Sequence, residues 1–201
     1  AARRQALYAL IGLIVLILTA TIDYRIWYNA RHALYVIAIG FLVITLIFGS
    51  SEIGGVNRWI NLQAFPVQPS ELAKLLVTLS LAGFLANRTG SIRKLRTIIL
   101  SLIYIGIPAV LVFLQPNLST AMVYLFIWLA MVIAAGARGR HLALLGGLSL
   151  LTLPAIWLVL AASQRQRILA FIDPALNPAA NYNLQQALIT VGSGGWLGEG
   201  Y

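Results

Sequence analysis

Residues 97–137, TIILSLIYIGIPAVLVFLQPNLSTAMVYLFIWLAMVIAAGA, carry no charged side chain. A bilayer core is about 30 Å thick and is crossed by roughly 17–25 mostly apolar residues in a helix. The run is therefore too long for one crossing, and Gln115-Pro116-Asn117 divides it into two spans joined by a tight turn. Outward from this pair, four further stretches satisfy the same length rule: 5–22, 32–51, 69–87 and 142–162. Alternation of the β-barrel kind is absent, so the expected fold is all-α, a polytopic transmembrane bundle with six spanning helices.

Composition agrees: 60% of residues are hydrophobic, 9% are charged, and mean hydropathy is +0.88. Soluble domains average about 25% charged residues. The absence of cysteine removes disulfides, thiolate ligands and thiol nucleophiles, and two scattered histidines do not make a zinc site. The net charge of +9 is spread through short loops, without a basic arm or an aromatic-interleaved patch, so no nucleic-acid partner is expected.

Arginine and lysine placement orients the bundle. With Ala1 outside, the inner loops hold Arg25, Arg31, Arg88, Arg93, Lys94, Arg96, Arg138 and Arg140, against Arg3, Arg4, Arg58, Arg165 and Arg167 outside. An outside start with no cleavable signal calls for an upstream helix.

The third span is long enough only if it includes Glu71 and Lys74. Proline at the first helical position and glutamate in the first turn form an ordinary helix start, and a lysine three residues on can pair with it and snorkel. Ionisable groups within spans, however, tend to face cavities or functional paths. Gln68, Glu71, Lys74 and Thr78 share one helical stripe. The pair is expected to face a water-filled cavity open to the outer surface, and under deep burial breaking it costs on the order of 3–5 kcal/mol. In the preceding loop, Arg58 suits phosphate or sugar ligands, and Trp59 suits either the interface belt or a ligand. In the tail, Arg165 and Arg167 stand at the outer end of the sixth span, and 182–191 reads as a short surface helix closed by glycines. Ser193 lacks the G-x-S-x-G spacing, and both histidines lie on the opposite face, so a serine-hydrolase site is not expected. The chain divides into a bundle, 1–163, and a loop region with the short helix, 164–201.

Three ordered motifs carry a resemblance: GGVNRWINL…FPVQPSELAKL, QPNLSTA and QRQRILAFIDP…NYNLQQALITVGSGGWLGEG. Together they resemble the SEDS family of RodA and FtsW, RodA most. The resemblance implies a peptidoglycan glycosyltransferase, one that polymerises lipid II into glycan strands at the outer face of the bacterial cytoplasmic membrane. It implies a role in elongation and cell shape, and a class B penicillin-binding protein as partner beside the membrane lipids. It further implies about ten spanning helices, of which this chain resembles the second to seventh plus part of the large outer loop. The family's catalytic aspartate lies in a stretch beyond the GSGG motif, and Asp173 belongs to a different motif. The 201-residue chain alone is therefore expected not to polymerise lipid II. Glu71 and Lys74 match the family's polar pair and are the candidate catalytic residues; Arg58, Trp59, Gln68, Gln115, Arg165 and Arg167 are the candidate substrate-binding residues. QPNLSTA departs from the commoner QPDLGTA at Asn117 and Ser119.

Glycosyl transfer from a lipid pyrophosphate needs a base for the acceptor hydroxyl and positive charge for the leaving group. A glutamate tied to a lysine is a better organiser than base. No metal ligands are identifiable in the sequence, although a divalent cation, Mg or Mn, would serve the leaving group. A flippase or transporter for the same lipid, or a scaffold for a partner enzyme, fits the same features, the prolines Pro108 and Pro154 included. The orientation has a direct test: Gly54→Cys should be labelled by an impermeant thiol reagent from outside and Ser91→Cys should not. Reversed labelling overturns the arrangement.

Overall fold

The computed structural model describes residues 2–49, 60–61, 66–115, 117–160, 162–172, 182–195 and 198. These are almost entirely helical: α1 (Ala2–Ala20), α2 (Tyr24–Phe48), α3 (Pro69–Ala86), α4 (Leu95–Leu114), α5 (Leu118–Ala134), α6 (Gly139–Val159), α7 (Ala162–Ile172) and α8 (Tyr182–Gly194). A two-residue antiparallel pair, β1 (Ile60–Asn61) with β2 (Pro66–Val67), precedes α3. Each expected span falls on a helix. Three of them, α2, α3 and α4, are long and apolar enough to cross a membrane, with mean hydropathies of 2.0, 1.3 and 2.5. The chain is thus a multi-pass membrane protein, while the count of six crossings rests on the sequence.

The boundaries differ where caps or distant contacts intervene. The second span, expected from residue 32, begins at Tyr24, because Asp23 caps it by accepting from Arg25 N at 2.8 Å. Arg25 and Arg31 are therefore helical rather than loop residues. At the end of α5, Gly136 takes φ +86°, and Ala137 N reaches back to Val132 O at 3.2 Å, a Schellman closure that favours glycine. Helix α7 occupies a stretch whose arginines were expected simply to end the sixth span.

The chain forms two compact units, 23–152 and 1–22 with 153–201. In the second, α8 runs three residues beyond its expected end, and Gly195, φ +50°, follows it. In the first, α2 and α3 make the most extensive helix pair. Ala38 and Leu42 of α2 and Ala73, Val77 and Leu81 of α3 are wholly buried, and their spacing of four builds the interlocking ridges of a close helix pair. Alanine, Ser80 and Gly83 keep the α3 face small, the usual means of bringing spanning helices together. Ile98, Ile105 and Val112 of α4 and Tyr124, Trp128 and Val132 of α5 complete the core. Apolar side chains on the other faces, such as Leu75 and Ile103, are exposed and suit contact with hydrocarbon.

Polar side chains join these helices. Pro108, inside α4, has no N–H to give the carbonyl of Tyr104 four residues earlier. The Tyr35 hydroxyl of α2 supplies that bond at 2.8 Å, while the two rings stack with centroids 4.0 Å apart. Ser80 of α3 donates to Arg31 O at 2.6 Å. With its proton so used, Ser80 accepts from the Tyr104 hydroxyl. Trp128 Nε1 donates to Ser101 Oγ at 2.9 Å, joining α5 to α4.

Tyr35→Phe leaves the Tyr104 carbonyl without its donor and should cost roughly 1–2 kcal/mol in detergent unfolding. Pro108→Ala restores a main-chain N–H, so the same change should cost clearly less in that background. Equal losses in both backgrounds would contradict the compensation.

Candidate functional site

The start of α3 lies at the end of the 23–152 unit that the arginine and lysine bias predicts to be outside. Pro69 takes the first helical position, Glu71 N donates to Gln68 O at 3.0 Å, and Glu71 falls in the first turn, where the helix dipole favours a carboxylate. Glu71 Oε2 and Lys74 Nζ are 2.8 Å apart, the only ion pair among the described residues. Thr78, next on the stripe, turns inward and donates to Lys74 O at 2.7 Å. The carboxylate side chain is 54% exposed and the lysine 20%. The condition of deep burial, under which breaking the pair would cost several kcal/mol, does not hold here: the lysine is sheltered and the glutamate stands in the open, because the pair occupies the helix's first turns rather than its middle.

Two residues that sequence reasoning passed over lie at this end. The Ser70 and Tyr124 hydroxyls are buried, with no hydrogen-bond partner among the described residues. No local pattern singles out either one, since Tyr124 reads as one more apolar residue of α5.

Gln115 is 1% exposed, and its Nε2 donates to Leu42 O at 2.9 Å. In this arrangement it braces the α4–α5 turn against α2. Asn117 caps α5 by accepting from Thr120 N at 3.3 Å, a task that asparagine and aspartate perform equally well. Gln68, partly buried, caps α3 with its main chain only. In the other unit, Arg165 Nη2 donates to Leu158 O at 2.8 Å, and Arg167 lies on α7. Arg58 and Trp59 lie outside the described residues.

Divalent magnesium or manganese needs several oxygen ligands. Among the described residues no three His, Asp or Glu side chains gather, and Glu71 is already paired. These residues do not compose such a site.

The chain is 35% identical over 98% of its length to the "Probable peptidoglycan glycosyltransferase FtsW" of Nitrosococcus halophilus, and it spans about half of that relative, 51%. A chain in a structure described as "Structural coordination of polymerization and crosslinking by a peptidoglycan synthase complex" superposes with a TM-score of 0.78, at 33% identity over 96% of this chain and 57% of that one. The rod shape determining protein RodA of Thermus thermophilus superposes with a TM-score of 0.63, at 30% identity over 80% of this chain and 50% of that one. A family profile covering FtsW, RodA and SpoVE, described as "Cell cycle protein", matches residues 1–201. The chain therefore belongs to the FtsW/RodA/SpoVE family, the SEDS family that its motifs resemble.

Proposed function

We propose that this chain is the part of a peptidoglycan glycosyltransferase that positions lipid II at the outer face of the bacterial cytoplasmic membrane. The observation that carries the reading is the placement of the Glu71–Lys74 pair, at the end of the bundle where a lipid-linked pyrophosphate would lie, in a chain 35% identical to a probable peptidoglycan glycosyltransferase. In the reaction, an acceptor sugar hydroxyl attacks the anomeric carbon of the donor and the lipid pyrophosphate departs with inversion. Lys74 faces the departing phosphates and offsets their negative charge. Glu71, already hydrogen-bonded to Lys74, fixes the ammonium in place, and the proton of the acceptor hydroxyl passes to the outer-loop aspartate that the family resemblance implies beyond the GSGG motif. Ser70 and Tyr124 offer further hydroxyls at the same end.

The partner in this reading is a class B penicillin-binding protein, in keeping with the peptidoglycan synthase complex whose chain superposes on this one. A role in elongation follows from the motif likeness to RodA. A transporter would be expected to place its ion pair near the bilayer midplane, whereas Glu71 is the third residue of α3.

The exposure of Glu71 separates stability from activity. An exposed pair contributes about 1 kcal/mol or less, so Glu71→Ala and Lys74→Ala in the full-length protein should unfold almost as the parent does yet lose most lipid II polymerisation. Exchanging the two, Glu71→Lys with Lys74→Glu, keeps neutrality but sets the cation against the helix dipole, and should stay inactive. Normal polymerisation by the exchanged protein would show the pair to be structural only.

A further inference from the structure

The opposite end of α3 carries a second arrangement. A cavity of about 490 Å³ lies between α2, α3 and α4, lined by Arg31, His32, Phe84, Asn87, Arg88 and Tyr104. Its size is within the roughly 300–1,000 Å³ of pockets that hold small molecules. Two guanidinium groups and an imidazole share it, and no carboxylate lies within ion-pair distance of them among the described residues.

Both arginines are held by neutral groups. Arg31 Nη1 donates to Tyr28 O at 2.9 Å, and its guanidinium lies over the Tyr28 ring, 4.7 Å from the centroid. Arginine offers only donors, so the Asn87 carboxamide turns its oxygen to Arg31, accepting from Nη2 at 3.1 Å and Nε at 3.2 Å, and its nitrogen to the Tyr28 hydroxyl. The stem of Arg31 lies so close to α3 that a Cβ on Gly83 would come within 2.7 Å of its Cδ. The Arg88 guanidinium lies over Phe84, 3.8 Å from the centroid, and donates Nη1 to Phe84 O at 3.3 Å. Among the described residues that is its only hydrogen bond, which leaves most of the fork available. Phe84 stacks on Tyr104 at 4.9 Å and Tyr104 on Tyr35 at 4.0 Å, giving the cavity a firm aromatic wall. Three of the five Arg31 N–H groups are thus used, and one on each Nη remains; fixed, uncompensated guanidinium groups suit a phosphate group, which accepts from these and from the Arg88 fork. By the arginine and lysine bias this end faces the cytoplasm, where basic pockets between spanning helices take anionic lipid headgroups.

We propose that this cavity binds a phosphate group at the cytoplasmic surface, with Arg31 and Arg88 as the clamp and the Tyr35–Tyr104–Phe84 stack as its wall. The site is separate from the outer ion pair, and the inference does not depend on the glycosyltransferase reading. The group can belong to an anionic phospholipid or to a soluble phosphate compound. Native mass spectrometry of the full-length protein, with phosphatidylglycerol and phosphatidylcholine as probes, should show one phosphatidylglycerol retained in preference to phosphatidylcholine. Arg88→Gln, which leaves the Arg31 contacts intact and should fold, is expected to weaken that retention on the order of tenfold. Arg93→Gln, an exposed arginine of the neighbouring turn outside the cavity, should leave it unchanged. If millimolar inorganic phosphate displaces the lipid from the parent protein, a soluble phosphate is the natural occupant; if it does not, the lipid is. Equal retention of both lipids, or equal weakening by the two substitutions, would reduce the effect to general surface attraction and overturn the proposal.

Discussion

The carbonyl of Tyr104 has to find a donor inside a spanning helix, and much of the bundle is arranged around how it does so. Hydrocarbon supplies no water to a vacated backbone group. Pro108 vacates this one, and Tyr35 from α2 fills it. The bond fixes the Tyr35 and Tyr104 rings against each other, and the Tyr104 hydroxyl then reaches Ser80, which holds Arg31 O. One proline in α4 thereby ties α2, α3 and α4 together at a level where apolar packing alone would leave them free to slide. The small residues Ala73, Ser80 and Gly83 make the tie possible, since a larger α3 face would hold α2 too far away for side chains this short.

Helix α3 is the post that both sites share. Its first turn holds Glu71 and Lys74, and its exit holds Asn87 and Arg88, about 24 Å away at 1.5 Å per residue. With 14 basic residues and five acidic ones in the chain, most cations cannot find a carboxylate, and α3 shows both outcomes. At its start, the helix dipole favours a glutamate, and the lysine pairs with it. At its end, the arginines settle on aromatic faces and backbone carbonyls, which hold a guanidinium in place without neutralising it.

Legibility in the sequence followed the range of the contacts. The Gln68-Pro69 start of α3, the Glu71–Lys74 pairing and the break at Gln115–Asn117 are local, and the sequence places each to within a few residues. Arg31 was unreadable. It looks like a loop cation before a span, and its role comes from Ser80, Gly83 and Asn87, about fifty residues further on. Gln115 looks like a ligand group at a turn, yet its amide is engaged by Leu42 O, 73 residues earlier. The degree of cover over the pair is non-local in the same way. The sequence sets Glu71 and Lys74 at the mouth of an apolar span, but how far each is covered depends on what stands opposite the first turn of α3, and a one-dimensional pattern carries no such information.

The two ends also differ in what chemistry they can support. Phosphate groups lie at both surfaces of a bilayer, so cations at either end of a bundle can meet them, and binding alone does not distinguish the two sites. A glycosyl transfer must in addition hold a proton acceptor or a group that orders one. Among the described residues of the 23–152 unit, the end at the start of α3 has a carboxylate in Glu71 and buried hydroxyls in Ser70 and Tyr124, whereas the cavity at the other end has no carboxylate, and its acceptors are the Asn87 carboxamide, already engaged by Arg31, the Tyr104 hydroxyl and the His32 imidazole. The cavity thus presents fixed positive charge without a carboxylate, which suits holding an anion more than ordering an attacking hydroxyl. The exposure of the ion pair points the same way: the glutamate stands in the open and the ammonium is sheltered behind it. That order would suit a pair in which the lysine engages the phosphates only once a substrate has entered, and it is the feature that favours the start of α3 over its end in the proposed reading.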